Sequence, residues 1–470
     1  MAAVGWCAFA VYLVVQARLG SALIWNDSTV YVSMARRPIW SLALWAGPRP
    51  PLTPLLIKAV GGPSALVTTQ AVIAALCWGG LAWTVGRLVD PGWRRVTAVF
   101  VILGFATTLP VTMWNRSELS ESLSMSLLAL VFAGFIWVSR RPTWPRVGAT
   151  VVASLAFAAT RDAQVWTVGM LALAAGVYAL TRFPVSRSTA VRAGVLSVCL
   201  LGVVAACEWG TLASHRTTSD TADVLYVRVF PFPDRVAWFA AHGMPEGLRI
   251  DQLARETAAP PGDAKVVGIP AEDTAFDPLE RWIRTDAGHT YLLWLVTHPG
   301  YVLGEPLQRP ERAFNFAHGE LAFYAPAHAL ASPLTDVLWP PLLGLLVLSA
   351  LALYLGIVSE AWRYRPWCMV AVLTLVGVAA MLVAWHGDGQ EVTRHTVEGF
   401  AQVRLGVWIL LTLGLLGSAD PGPEGPAGGT GTSLSETALS QTALSETALS
   451  GASTGPGAGG PSGTEPPPDP

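Results

Sequence analysis

At 470 residues, with 52% hydrophobic and only 13% charged side chains, the chain has the balance of an integral membrane protein and not of a soluble enzyme of its length. Its formal net charge of -2 leaves no electrostatic footprint for nucleic acid. The five cysteines (Cys7, Cys77, Cys199, Cys207 and Cys368) lie in apolar runs and not in the one long polar segment, which excludes a disulfide framework or a thiolate metal site there.

A helix needs about 20 apolar residues to cross a bilayer. The runs near 4–24, 64–86, 96–114, 119–139, 147–160, 163–181, 191–212, 335–358, 366–385 and 401–417 predict an all-α polytopic membrane protein of about ten transmembrane helices. The first run has no basic flank and reads as a retained helix, not a cleaved signal. The expected organisation is an N-terminal transmembrane module (1–212) with a first outer loop at 25–63. A mostly helical extracytoplasmic loop domain (213–334) and C-terminal transmembrane helices (335–417) follow it. The last segment, 418–470, is rich in Gly, Pro, Ala, Ser and Thr and repeats SETAL from Ser435, a composition expected to give a disordered cytoplasmic tail.

Arginines orient the spans. Connectors after even-numbered spans carry Arg87, Arg94 and Arg95, then Arg140, Arg141 and Arg146, then Arg182, Arg187 and Arg192, then Arg363 and Arg365. These sides are expected to be cytoplasmic, with both termini inside and the protein multi-pass in the plasma membrane. Connectors after odd-numbered spans hold Asp27, Glu118, Glu121, Asp162, Asp388 and Glu391. Arg36, Arg37, Arg49 and Lys58 break this rule, because the same scheme puts them outside.

The first outer loop opens with WNDSTVYVSMARRP from Trp25, which predicts a short helix through Arg36 closed by Pro38. RPPLTPLLIK from Arg49 has too many prolines to span and reads as a second juxtamembrane element, with Trp40 and Trp45 at interfacial depth. In the long loop, helices are expected from Pro233 to Gly243, over PLERWIR, and over HTYLLWLVTHP up to Pro299. Trp282, Trp294 and Tyr301 suggest that this domain rests on the membrane.

The polar groups at the helix ends gather on the side opposite the basic connectors. Asp27, Glu118, Glu121, Arg161, Asp162, His298, Glu391, Arg394, His395 and Arg404 are expected to face one outer cavity, and ionisable residues at membrane depth are functional hypotheses by default. Acids beside arginines suit a substrate with hydroxyls and a phosphate. A carboxylate accepts a hydroxyl proton, and arginine grips phosphate oxygens. Each residue also has a plainer reading. Asp27 can be a helix cap and Tyr31 a packing or interface residue. Arg36 and Arg37 can bind lipid headgroups instead of a donor phosphate, and Glu121 can serve its helix dipole. Arg161, squeezed between two helices, is expected to pair with phosphate or a carboxylate, with Asp162 as an internal candidate. Glu118 reads as a solvated end residue, His298 as a helix stop, and Arg394 and His395 as ligand contacts. Arg404 either snorkels outward or pairs with an acid.

Six short stretches, in order along residues 1–417, resemble the GT-C superfamily of polytopic glycosyltransferases. The nearest members are the dolichyl-phosphate-mannose protein mannosyltransferase-like and bacterial polyprenyl-phosphate-sugar-dependent ones. The stretches are NDSTVY after the first span, PLTPLL, SESLSMSLLAL from Ser120, ATRDA around Arg161, THPGY and EVTRH. The resemblance implies a polyprenyl-phosphate sugar donor and a glycan, lipid or protein acceptor at the outer face. It also implies inversion at the anomeric carbon, with Asp27 as general base; Glu121, in the SESLSMSLLAL stretch, is the second candidate catalytic carboxylate. Many relatives carry two adjacent acids where this chain has Asn26-Asp27, and one carboxylate with an amide makes a poorer site for a divalent metal. A transporter or flippase of a lipid-linked or anionic substrate is the alternative, expected to show broken helices and repeated halves. An inactive envelope scaffold is a third.

Overall fold

The computed structural model describes residues 2–18, 23–183, 185–214, 216–247, 277–308, 334–389 and 392–417. The tail, Glu391 and parts of the long loop lie outside these residues. Among the described residues the chain is all helical, and one isolated parallel bridge joins Leu23 to Ser117.

The N-terminal half runs α1 (Ala2–Arg18), α2 (Asn26–Ala35), α3 (Leu42–Trp45), α4 (Leu52–Val60), α5 (Pro63–Gly86), α6 (Trp93–Ala106), α7 (Leu109–Thr112), α8 (Glu121–Arg140), α9 (Trp144–Ala158), α10 (Asp162–Arg182) and α11 (Arg187–Ala213). The polar segment contributes α12 (Arg216–Arg228), α13 (Pro233–Ala241), α14 (Asp277–Thr285), α15 (Ala287–Thr297) and α16 (Pro299–Gln308). The chain then continues with α17 (Thr335–Leu338), α18 (Leu342–Val358), α19 (Arg365–Gly387) and α20 (Val392–Leu416).

Six of these helices (α5, α8, α10, α11, α19 and α20) are long and apolar enough to cross a bilayer, and a bent pair makes seven. The expectation of ten spans is therefore only partly met, for local reasons. The run 96–114 breaks at Thr107 and Thr108, and α6 meets the segment after it at 60°. The run 335–358 breaks at Pro340 and Pro341, where two backbone donors are missing, leaving α18 with 17 residues. The first helix also has 17 residues, and α9 stops after 15 at the turn before Arg161. The last helix departs in the other direction. It begins at Val392, well before the expected 401, so Arg394 and Glu398 are helical and buried.

Helices α8 and α20 form the centre. The eighth packs against α5, α9, α19 and α20, and α20 also packs against α18 and α6. Glycines let α19 and α20 approach closely: a Cβ on Gly399 would lie 2.8 Å from the Met381 backbone, and one on Gly377 would lie 2.8 Å from Gln402. Small residues at such crossings bring backbones together where lipid supplies no hydrophobic drive.

Helices α12 to α16 build a separate core around Leu225, Phe230, Phe239, Trp282, Tyr291 and Trp294. Trp282 and Trp294, expected on the membrane face, are buried in that core. The module docks on the end of α19 through Arg228. That side chain donates to Asp388 O at 3.1 Å and to Trp385 O, and pairs with Glu305 at 2.6 Å. Burial works against ionisation of Glu305, but Arg228 outweighs it and holds the carboxyl below its ordinary 4.5.

Two outcomes follow from this packing. Gly399→Leu is expected to cost about 1–3 kcal/mol by forcing α19 and α20 apart, measured as a lowered unfolding midpoint in detergent. A carboxyl with a depressed folded pKa stabilises above its unfolded value and loses that contribution as pH falls through the folded one. Glu305→Gln should therefore lower Tm near neutral pH, and the difference from wild type should close as the pH drops below the ordinary 4.5.

Candidate active site

The first turns of α2, α8, α10 and α20 converge at one end of the bundle. Backbone bonds set their positions. Leu23 N–H donates to Arg116 O at 2.8 Å, and Glu118 N–H donates to Leu23 O at 3.1 Å, which ties the entry of α2 to the entry of α8. Leu52 N–H donates to Ala159 O at 3.1 Å, tying α4 to the turn that presents Arg161. Trp25 N–H donates to Ser28 Oγ at 2.9 Å, which starts α2.

A chain of alternating charges runs through this junction. Asp27 Oδ1 accepts from Arg49 Nη2 at 2.6 Å, and Oδ2 accepts from Arg394 Nη2 at 3.1 Å. Arg394 Nε donates to Glu121 Oε1. Arg161 Nη1 lies 3.4 Å from the same Glu121 oxygen and 3.0 Å from Glu398 Oε1. Gln164 Nε2 donates to the other oxygen of Glu398. Tyr31 OH donates to Ser120 Oγ at 3.2 Å, which in turn reaches Glu121 Oε2 at 3.5 Å.

The chain has an open end and a closed end. The side chains of Arg49 and Asp27 are 38% and 19% exposed, whereas those of Glu121 and Glu398 are 0% and 3% exposed. Solvent therefore reaches the chain at Asp27 and Arg49. Three arginines face three acids, so the array is balanced. Burial works against the charge on Arg161, but Glu398 and Glu121 outweigh it and hold the guanidinium protonated. Burial, reinforced by Glu121, pushes the Tyr31 hydroxyl up, so it stays a donor.

Four expected residues, Asp27, Glu121, Arg161 and Arg394, come together, with Tyr31 at their edge. Others do not. Arg36 is exposed at the far end of α2. Arg37 donates to Ala43 O at 2.7 Å and stiffens the loop. His395 turns away to Asp388. Arg404 lies about 15 Å further along α20 than Arg394 at 1.5 Å per residue. There it is fully buried, donates to Pro340 O at 3.0 Å and faces the Trp339 ring at 4.8 Å. His298 caps α15 and stacks on Trp294. Asp162 pairs with Arg216 at 3.2 Å and not with Arg161, because as the first residue of α10 it points toward the end of α11, where Thr211 also bonds it at 2.9 Å. Glu118, expected to be solvated, is buried, and burial pushes its carboxyl up.

Sequence reading missed Glu398, Gln164 and the part played by Arg49. Glu398 falls four residues after Arg394, so the two share a helix face, and no breaker separates them; that i, i+4 spacing is the signal that would have found it.

Among the described residues no three His, Cys, Asp or Glu side chains gather as metal ligands, and both oxygens of Asp27 are held by guanidinium groups. A cavity of about 340 Å³ lies elsewhere, between α1, α5 and α6, lined by Trp6, Leu76, Gly79, Trp83 and Leu103. It is apolar and carries no titratable group, so it offers space without chemistry.

Fold and site together describe an all-helical protein of membrane type with a buried ion-pair chain open at one end. No protein-family model matches the chain, and no curated protein or solved structure is significantly similar to it.

Removing one partner of a buried pair strands the other. Arg161→Met is expected to cost about 3–5 kcal/mol by taking the guanidinium from buried Glu398 and leaving Glu121 with Arg394 alone. Replacing Arg49, at the exposed end, should cost well under half of that in the same detergent unfolding measurement.

Proposed function

We propose that the protein is a membrane glycosyltransferase of GT-C type that moves a sugar from a polyprenyl-phosphate donor to an acceptor hydroxyl at the outer face of the plasma membrane. The observation that carries this reading is Asp27, held between Arg49 and Arg394 at the open end of the ion-pair chain. Structure alone does not require such a chain in an apolar bundle, since desolvating six charges is costly and apolar side chains fill the same space at least as stably. Charges kept at a helix junction despite that cost are best explained by use.

In the proposed reaction the acceptor hydroxyl oxygen attacks the anomeric carbon as the bond from that carbon to the phosphate oxygen breaks. The hydroxyl proton passes to the Asp27 carboxylate. The bonding electron pair stays on the departing phosphate, whose charge Arg49 and Arg394 meet. Before donor arrives, both oxygens of Asp27 are engaged by those same guanidinium groups. A phosphate competes for them and frees a carboxylate oxygen, so the base is unmasked only when there is a leaving group to expel. Glu121 and Arg161 touch the chain behind Arg394 and act as positioning residues.

Asp27→Asn should lower transfer of labelled sugar from a polyprenyl-phosphate donor in membranes by about 10²–10⁴-fold, the usual range for a general base. Transfer at the wild-type rate would remove Asp27 from the role. Arg49→Ala should raise KM for the donor and also lower kcat, since Arg49 meets the charge on the departing phosphate, with a smaller loss than Asp27→Asn because Arg394 remains.

One observation favours a transporter instead: the 60° break between α6 and the segment after it, a feature that transporters use at their binding sites. Movement of a labelled lipid phosphate between leaflets of reconstituted vesicles, with no transfer by wild type from any donor, would select that reading.

A further inference from the structure

We propose that α15 and α16 form a lipid-embedded edge, with Leu292, Leu293, Val296, Leu303 and Leu307 lying in the bilayer leaflet beside the end of α19. These five side chains are 45–70% exposed. On α15 they recur at i, i+1 and i+4, opposite the buried Ala287, Thr290, Tyr291 and Trp294; on α16 they recur at i and i+4. A contiguous aliphatic stripe of this kind on a soluble surface marks something that covers it.

Two further observations identify the cover as lipid. The first is charge. Residues 287–308 contain no Lys or Arg, and their single acid, Glu305, is buried on Arg228. The neighbouring α14 and its end instead expose Asp277, Arg281, Arg284 and Asp286. The exposed charge is thus carried by α14 and its end and not by α15 or α16, and an exposed apolar face without charge is what an interfacial helix buries in the membrane.

The second is position. The sixteenth helix is fastened to the last turn of α19, where a ring nitrogen of His386 meets Val302 O at 3.0 Å and Trp385 Nε1 donates to Glu305 at 3.2 Å. The nineteenth helix is one of those long enough to span, so its last turn marks the depth at which the bilayer ends. Exposed aliphatic residues of α19 itself, among them Val383, Val378 and Leu375, carry on from that turn back along the helix. This inference rests on those helices spanning a bilayer, not on the sugar-transfer reading.

The test uses the full chain in phosphatidylcholine–phosphatidylglycerol vesicles, photolabelled in parallel with a lipid-soluble and a water-soluble diazirine and mapped by mass spectrometry. Residues 287–308 should take the lipid-soluble label at a yield near that of the exposed face of α18 and about tenfold above that of residues 277–285, as burial of an apolar face in the headgroup and acyl boundary requires. Preferential labelling by the water-soluble reagent overturns the proposal. Protection from both reagents also overturns it and assigns the stripe to a protein, such as a second copy of this chain.

Discussion

A guanidinium buried at a helix junction is costly unless it is paired, and Arg161 has found two carboxylates. Its bonds to Glu121 and Glu398 join α8 and α20, the two most central helices, to the turn between α9 and α10. Removing charges from water costs several kcal/mol each, so this junction tolerates little rearrangement. The rest of the charge chain inherits that rigidity. Arg394 is fixed because Glu121 is fixed, and Asp27 is aimed because Arg394 is.

Helix direction adds to the effect. The second, eighth, tenth and twentieth helices all begin near the same junction, and helix N-termini carry partial positive charge. Asp27, Glu121 and Asp162 each lie in such a first turn. Asp27, Glu121 and Asp162 are therefore each held by an arginine and by backbone dipoles together.

Much of this was legible in the residues. Apolar runs located the long helices, and polarity at run ends singled out Asp27, Glu121, Arg161 and Arg394 because a charge beside a bilayer is rare and costly. Pairing was not legible. Arg36 and Arg37 have the same chemistry as Arg49, yet only Arg49 reaches Asp27, because Arg37 is spent on Ala43 O and Arg36 faces outward. Glu398 escaped notice because hydropathy sees the mean of a window, and the apolar density of α20 rises only after its polar first turns. Asp162 and Glu118 were misjudged for a related reason: burial at a helix junction depends on what packs from elsewhere in the chain, which local spacing does not report.

The bond between Asp27 and Arg394 joins residues 367 positions apart. A chain made from its N-terminus exposes Asp27 early and Arg394 only with α20. Until then Asp27 has Arg49 alone, and Glu121 waits with Arg161 for the partner that completes them. The charge chain is thus closed only once α20 is in place. A chain cut short before α20 keeps Asp27 on Arg49 and Glu121 on Arg161, but lacks the guanidinium that joins these two pairs into one chain.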